Sequence, residues 1–181
     1  MIKDLLAYTS KQLGNAMPIT MRATDIRAVC EAAINEAILA YPNSQFSLNI
    51  GGALNGMFDG GRLQQLLSNL LANAVQYGEN KTPVIISAHN HPPDEIVIQV
   101  KNTGPVIPPQ ALERIFEPLV RYTAEHPGEK DAYLSTSLGL GLYIARTIAE
   151  AHGGTIKASS SVMDGTVFTL QLPMRKSAGA S

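Results

Sequence analysis

The chain has 181 residues, 45% hydrophobic and 16% charged, which suits one globular domain with at most a short appendage and excludes wholesale disorder. A formal net charge of −1 and a pI near 6.4 argue against binding nucleic acid through bulk electrostatics. No apolar run approaches the roughly 18 residues of a membrane span and the N-terminus does not read as a signal peptide, while a lone Cys30 excludes a disulfide framework and points to a reducing, cytoplasmic setting.

Residues 1–14 carry Ile2, Leu5, Leu6 and Leu13 as the apolar stripe of a short helix that Gly14 ends. A helix this short needs a partner surface. Met17 to Arg22 alternates like an edge strand. Thr24 or Asp25 then caps a helix whose Ile26, Val29, Cys30, Ala33, Ala37 and Ile38 face inward, stopped by Tyr41-Pro42. Cys30 reads as a small core residue on that helix. Phe46, Leu48 and Ile50 alternate as a strand that Gly51-Gly52 turns, and Met57-Phe58 starts a return strand.

The helix from about Arg62 to Tyr77 carries two stripes. Leu63, Leu66, Leu67, Leu70 and Ala74 form the buried one. Asn69, Asn73, Gln76 and Tyr77, at i, i+4, i+7 and i+8, form a polar one beside it. A merely solvated face carries Lys and Glu, whereas two mid-helix asparagines give up local stability, so this stripe reads as functional.

Two alternating strands follow, with Val84, Ile86 and Ala88, then Ile96, Ile98 and Val100, facing one side across a turn at Pro92-Pro93-Asp94. The second runs into Lys101-Asn102-Thr103-Gly104-Pro105, where proline stops it and glycine permits a bend. A short helix spans Gln110 to Phe116. From Glu117 to Ser137 no periodicity appears, and a loop this long in a compact domain reads as a lid or binding loop. Gly139 and Gly141 then open a helix that Gly153-Gly154 closes. Glycines let the backbone approach a ligand, and a helix N-terminus offers unpaired N–H groups and positive potential, so the stretch suits a phosphate as well as it suits a plain helix between turns. A hairpin pairs Thr155–Val162 with Thr166–Leu172 across Asp164-Gly165, and Met174 to Ser181 is a small-residue polar tail.

Taken together these segments resemble a known family. Asn69-Leu70-Leu71-Ala72-Asn73-Ala74-Val75-Gln76-Tyr77 looks like the N box of the GHKL superfamily, and specifically of bacterial sensor histidine kinases. Val100-Lys101-Asn102-Thr103-Gly104 resembles its first glycine box, Arg114-Ile115-Phe116-Glu117-Pro118 its F box, and Gly139-Leu140-Gly141-Leu142 its second glycine box. Asp164-Gly165-Thr166-Val167-Phe168 with Leu172-Pro173 is similar to the closing motif. The motifs stand in the family's order over residues of about 16–173.

The resemblance implies a Bergerat fold of the α/β (α+β) class. This is a two-layer sandwich with a mixed, mostly antiparallel sheet of about five strands, covered on one face by three helices and closed by a long ATP lid. It implies ATP and Mg²⁺ as ligands and phosphoryl transfer to a histidine as the reaction. Asn73 matches the metal-ligating position, an amide oxygen for a hard cation, and Asn69 supports it from one turn earlier. Tyr77 stacks on the nucleotide, and Gln76 stands where a cation is common. Asn102 replaces the usual adenine-reading Asp, and because an amide can flip it predicts weaker discrimination against GTP. Gly104 lets the chain approach the base, Ile107 lines its pocket, and Phe116 and Thr166 complete the binding set. Arg121 clamps the terminal phosphates from the lid, and Ser137, Leu138, Gly139, Leu140, Gly141 and Leu142 offer backbone N–H groups. Asn69, Asn73 and Arg121 form the catalytic set. Val106 and Ser137 replace frequent glycines, and Leu119-Val120 replaces an aromatic pair.

ATP-hydrolysing relatives carry Glu at the position of Asn69, which cannot serve as a general base, so the helix favours transfer to histidine over hydrolysis. The family phosphorylates a histidine on a separate dimerisation helix, and none of His89, His91, His126 or His152 fits that context. Residues 1–15 are therefore expected to be the remnant of that helix, residues 16–174 the catalytic domain, and residues 175–181 a tail. The expected partners are the histidine-bearing dimerisation domain of a homodimeric parent kinase and a downstream response regulator, without nucleic acid or membrane contact. A non-catalytic nucleotide-binding module is the alternative, and a gyrase- or chaperone-like ATPase a weaker one.

Overall fold

In a computed structural model of the chain, the residues described are 17–79, 81–92, 94–119 and 139–174. β1 (Arg22–Asp25) leads directly into α1 (Ile26–Ala40), whose N-cap Asp25 accepts a hydrogen bond from Arg27 N at 2.9 Å. β2 (Phe46–Gly51) and β3 (Asn55–Phe58) precede α2 (Gly60–Tyr77). β4 (Val84–His91) and β5 (Glu95–Asn102) form a hairpin, α3 (Pro109–Leu112) is a single turn with proline in its first positions, and α4 (Gly141–Ala151) precedes the hairpin of β6 (Thr155–Ser161) and β7 (Gly165–Pro173).

The main sheet runs β2-β4-β5-β7-β6, with β2 and β4 parallel and every other pair antiparallel. Register puts Ile86 beside Val100 and Val100 beside Phe168, and Ala88 beside Ile98 and Ile98 beside Leu170, so the apolar alternation of each strand falls on one face. That face meets the buried sides of α1, α2 and α4 in one core. The opposite face carries Ser87, Gln99 and Thr169 in register, and Gln99 Nε2 donates to Thr169 Oγ1 at 3.2 Å. This is the mixed five-stranded α/β sandwich expected from the sequence.

Local expectations shift in four places. The N-terminal strand begins at Arg22 instead of ending there. The strand holding Met57 and Phe58 does not return along β2, whose neighbour is the parallel β4; it pairs with β1 in a separate two-stranded sheet, Arg22 opposite Phe58. Ile38 is 47% exposed, because it lies a hundred-degree step beyond Ala37, which already occupies the inward stripe of α1. The helix expected over Gln110 to Phe116 stops at Leu112, and the chain tightens through Arg114 N to Ala111 O and Glu117 N to Arg114 O, both 2.9 Å, while Ile115 and Phe116 enter the core. The expected helix of residues 1–14, the tail and most of the expected lid lie outside the described residues.

Candidate functional site

α2 is the platform. Asp59 caps it, Oδ1 accepting from Arg62 N at 3.0 Å, while Oδ2 accepts from Thr20 N at 2.8 Å. Its leucine stripe is buried, and the polar stripe emerges beside it: Asn69 and Asn73 are half-buried, Gln76 and Tyr77 exposed. Among the described residues no hydrogen bond claims the Asn73 amide. The far end of α2 is stapled to the end of β5, Glu79 N donating to Thr103 O at 3.0 Å and the hydroxyls of Thr82 and Thr103 sharing a hydrogen bond. Glycine is required on both sides of this junction: a Cβ on Gly78 would come within 2.4 Å of Ala74 O, and one on Gly104 within 2.4 Å of Tyr77 O.

That staple brings Asn102 under the end of α2. Asn102 is 5% exposed; its Nδ2 donates to Thr103 O at 3.1 Å, and its Oδ1 is a buried acceptor with no partner among the described residues. A buried, unpartnered oxygen costs the fold about 1–3 kcal/mol and needs an explanation, and a ligand that donates a hydrogen bond supplies one. Thr166 lies directly opposite Asn102 across the β5–β7 ladder, so the two side chains stand on one face. The Thr166 hydroxyl bonds to that of Ser160 at 3.0 Å, and Ser160 Oγ accepts from Ile107 N at 3.0 Å, which ties the segment after β5 to the β6–β7 hairpin. Gly165 forms the support beneath: its φ is +71°, and a Cβ there would lie 2.2 Å from Asn102 O.

The third part is the start of α4. Leu140 occupies the N-cap position without a side-chain oxygen to cap the helix, which leaves the first-turn N–H groups to another acceptor. Asn69 Nδ2 donates to Gly141 O at 3.2 Å and so holds this helix start against α2. Just before it, Gly139 (φ +68°) accepts through its carbonyl from the N–H of Leu119 (φ +64°) at 3.1 Å, joining the chain on either side of residues 120–138. At its other end α4 closes in a Schellman motif, Gly154 N to Ala149 O and Gly153 N to Glu150 O, both 2.9 Å.

Burial of Asp59 works against ionisation, but hydrogen bonds from the Thr20 and Arg62 backbone and the nearby Arg62 guanidinium outweigh it and hold the carboxyl below its ordinary range. Burial, with Glu31 and Asp25 nearby, pushes the Cys30 thiol up to about 12, so it stays protonated and inert, as a small core residue should. Among the described residues no group of three or more His, Cys, Asp or Glu side chains could hold a metal ion. A hard cation here would rely on amide oxygen and on ligand oxygens.

An amide-rich helix, an unpartnered buried acceptor and an uncapped glycine loop converge on one edge of the sandwich. Residues 58–176 match the family described as histidine kinase-, DNA gyrase B- and HSP90-like ATPase. The chain belongs to that family. The probable sensor histidine kinase TcrY of Mycobacterium tuberculosis is 30% identical over 177 residues, covering 96% of this chain and 35% of that protein. A bacteriophytochrome of Pseudomonas aeruginosa is 28% identical over 176 residues, covering 97% of this chain and 23% of its own length. Among solved structures, full-length ShkA in complex with AMPPNP superposes with a TM-score of 0.78 at 25% identity, covering 98% of this chain and 36% of that one. The chain thus spans about a quarter to a third of these curated relatives.

The site residues expected from the sequence come together in two places. Asn69, Gly139, Leu140, Gly141 and Leu142 gather at the junction of α2 and α4, and Asn102, Gly104, Ile107 and Thr166 gather around the end of β5. Phe116 goes instead into the core, 7% exposed and edge-on to Phe168 at 6.2 Å. Arg121, Ser137 and Leu138 lie outside the described residues. Sequence reasoning passed over Thr103 and Gly78, which act through a carbonyl and a missing Cβ, and Ser160, which acts through its hydroxyl, and it considered His152 only as a phosphoacceptor. The flip expected of Asn102 also meets an obstacle: turning the amide would set Oδ1 against Thr103 O.

Proposed function

We propose that this chain is the ATP-binding catalytic module of a two-component sensor kinase, which donates the terminal phosphoryl group of Mg·ATP to a histidine on a separate dimerisation domain. The observation that carries it is the buried, unpartnered Oδ1 of Asn102, an acceptor suited to the exocyclic amino group of adenine. Nδ2, fixed by Thr103 O, keeps that oxygen presented. Ile107 lines the base pocket, and Tyr77, 39% exposed, offers a ring face at its rim. Asn73 offers its amide oxygen to Mg²⁺, and the uncapped start of α4 offers N–H groups to the phosphates. Bound there, Mg·ATP supplies the phosphoryl group and the cation that neutralises its charge.

The residues of α2 also set the acceptor. Asn69 has no basic atom with which to activate water, and its Nδ2 is already engaged by Gly141 O. A neutral histidine is itself a nucleophile and needs no such base. The acceptor comes from elsewhere: His152 is buried and bonded on both ring nitrogens, and His89 and His91 lie on β4. We place this chain accordingly in a homodimeric parent kinase, with residues 1–15 as the end of the dimerisation helix, a response regulator downstream and a cytoplasmic site of action. No helix among the described residues is long and apolar enough to cross a membrane.

The test is transfer in trans. Mixed with γ-labelled ATP, Mg²⁺ and a separately produced histidine-bearing dimerisation domain of the sensor-kinase type, the chain should leave acid-labile label on that domain. Binding of Mg·ATP without transfer would favour the second reading, a non-catalytic nucleotide module, for which Gln76 in place of a cation speaks. Steady phosphate release that survives Asn69→Ala would point to hydrolysis instead.

A further inference from the structure

His152, at the C-cap of α4, is 1% exposed, and each ring nitrogen has a partner. Nε2 accepts from Asp59 N at 3.0 Å, so Nδ1 carries the proton, which it donates to Ile148 O at 2.8 Å. The ring lies 6.3 Å from that of Phe58, tilted by 43°. Asp59 is the N-cap of α2. The end of α4 far from the glycine loop is therefore bonded to the end of α2 far from Asn73.

At the start of α4 the same two helices are joined again, Asn69 Nδ2 at the middle of α2 donating to Gly141 O at 3.2 Å. Ten residues separate Asp59 from Asn69 and eleven separate Gly141 from His152. At a rise of ~1.5 Å per residue the two antiparallel helices are clasped at points about 15 Å apart. One clasp alone leaves α4 free to pivot or slide on apolar side chains; two fix its axial register. That register sets where the N–H groups of the glycine loop stand relative to the amide of Asn73.

We propose that His152 is a positioning residue for the triphosphate, acting through the Asp59 amide to hold the α4 phosphate loop in register with the metal-ligand position on α2. The assignment rests on the nucleotide reading above. It concerns the phosphate end of the site alone, because Asn102, Thr166 and Ile107 are held by β5, β6 and β7 without α4.

The measurement is calorimetric titration of the wild type, His152→Phe and His152→Gln with Mg·ATP and, separately, with adenosine. His152→Phe keeps a ring against Phe58 and loses both nitrogens; it should weaken Mg·ATP about tenfold, the size of one well-aligned hydrogen bond to a charged group, and leave adenosine unchanged. His152→Gln restores an acceptor and should recover most of the affinity. Equal affinity in wild type and His152→Phe, or a parallel loss for both ligands, would overturn the proposal. Coupling is reciprocal, so in the unmutated protein Mg·ATP must slow hydrogen exchange of the Asp59 amide while adenosine does not. That arm holds whether or not His152→Phe folds, and unchanged exchange overturns the clasp. Failure of the wild type to bind either ligand instead removes the nucleotide reading itself.

Discussion

At the scale of single residues, Asn102 holds a conflict between folding and binding. Its Oδ1 is buried without a partner, yet Thr103 O, to which its Nδ2 donates, is also bonded by Glu79 N and stays satisfied if the amide is removed. Replacing both polar atoms by an apolar group of similar shape relieves an orphan and leaves none behind. Asn102→Leu should therefore melt no lower than the wild type while losing ATP affinity by about tenfold or more; a lower melting temperature with binding intact would contradict this. The same Thr103 contact changes the expectation for GTP. With the amide held, guanine presents its carbonyl to an acceptor, and discrimination should approach that of Asn102→Asp. The amide-rich helix and Asn102 were legible because their chemistry lies in the side chain. Thr103, Gly78 and Ser160 were not, since what matters there is a carbonyl, a missing Cβ and a hydroxyl that accepts from a backbone N–H 53 positions away.

At the scale of elements, the cap of α2 carries a pH dependence. Asp59 is ionised in the fold below its ordinary carboxylate range, so its contribution to stability is fully present above about pH 4 and is lost as the pH falls through its lowered value. Asparagine also caps helices but does not titrate. Asp59→Asn should melt below the wild type at neutral pH, and the gap should close as the pH drops under about 4; a gap constant with pH would show that the charge contributes nothing. Asp59 also joins α2 to Thr20 and to His152, so cap, N-terminal segment and α4 meet at one residue. Helix and strand identities were legible from periodicity. The partner of β3 was not, because alternation in Met57-Phe58 says which side chains turn inward and nothing about which strand lies alongside. Ile38 was misjudged for a related reason: apolar character does not reveal where the covered stripe of a helix ends.

At the scale of the whole molecule, a sheet with helices on one face brings the end of β5, the polar stripe of α2 and the start of α4 to one edge, where we place the nucleotide. The core keeps these three in place: Leu66, Leu70, Ile144, Ile148 and Phe168 are all buried in one cluster. The fold was legible through the family resemblance that the ordered motifs carry, and four of them fall on α2, the end of β5, the start of α4 and the start of β7. The clasped ends of α2 and α4 could not be read from the sequence, because they depend on the backbone of one cap meeting the side chain of another across 93 positions.

The central claim is that Mg·ATP binds on this edge with its cation at Asn73, and calorimetry with and without Mg²⁺ tests it most directly. The wild type should bind ATP more tightly with Mg²⁺ than without, and Asn73→Ala should lose about tenfold or more of that affinity together with most of the Mg²⁺ dependence. No binding by the wild type at millimolar nucleotide, or an Asn73→Ala variant that binds Mg·ATP as the wild type does, would contradict the account.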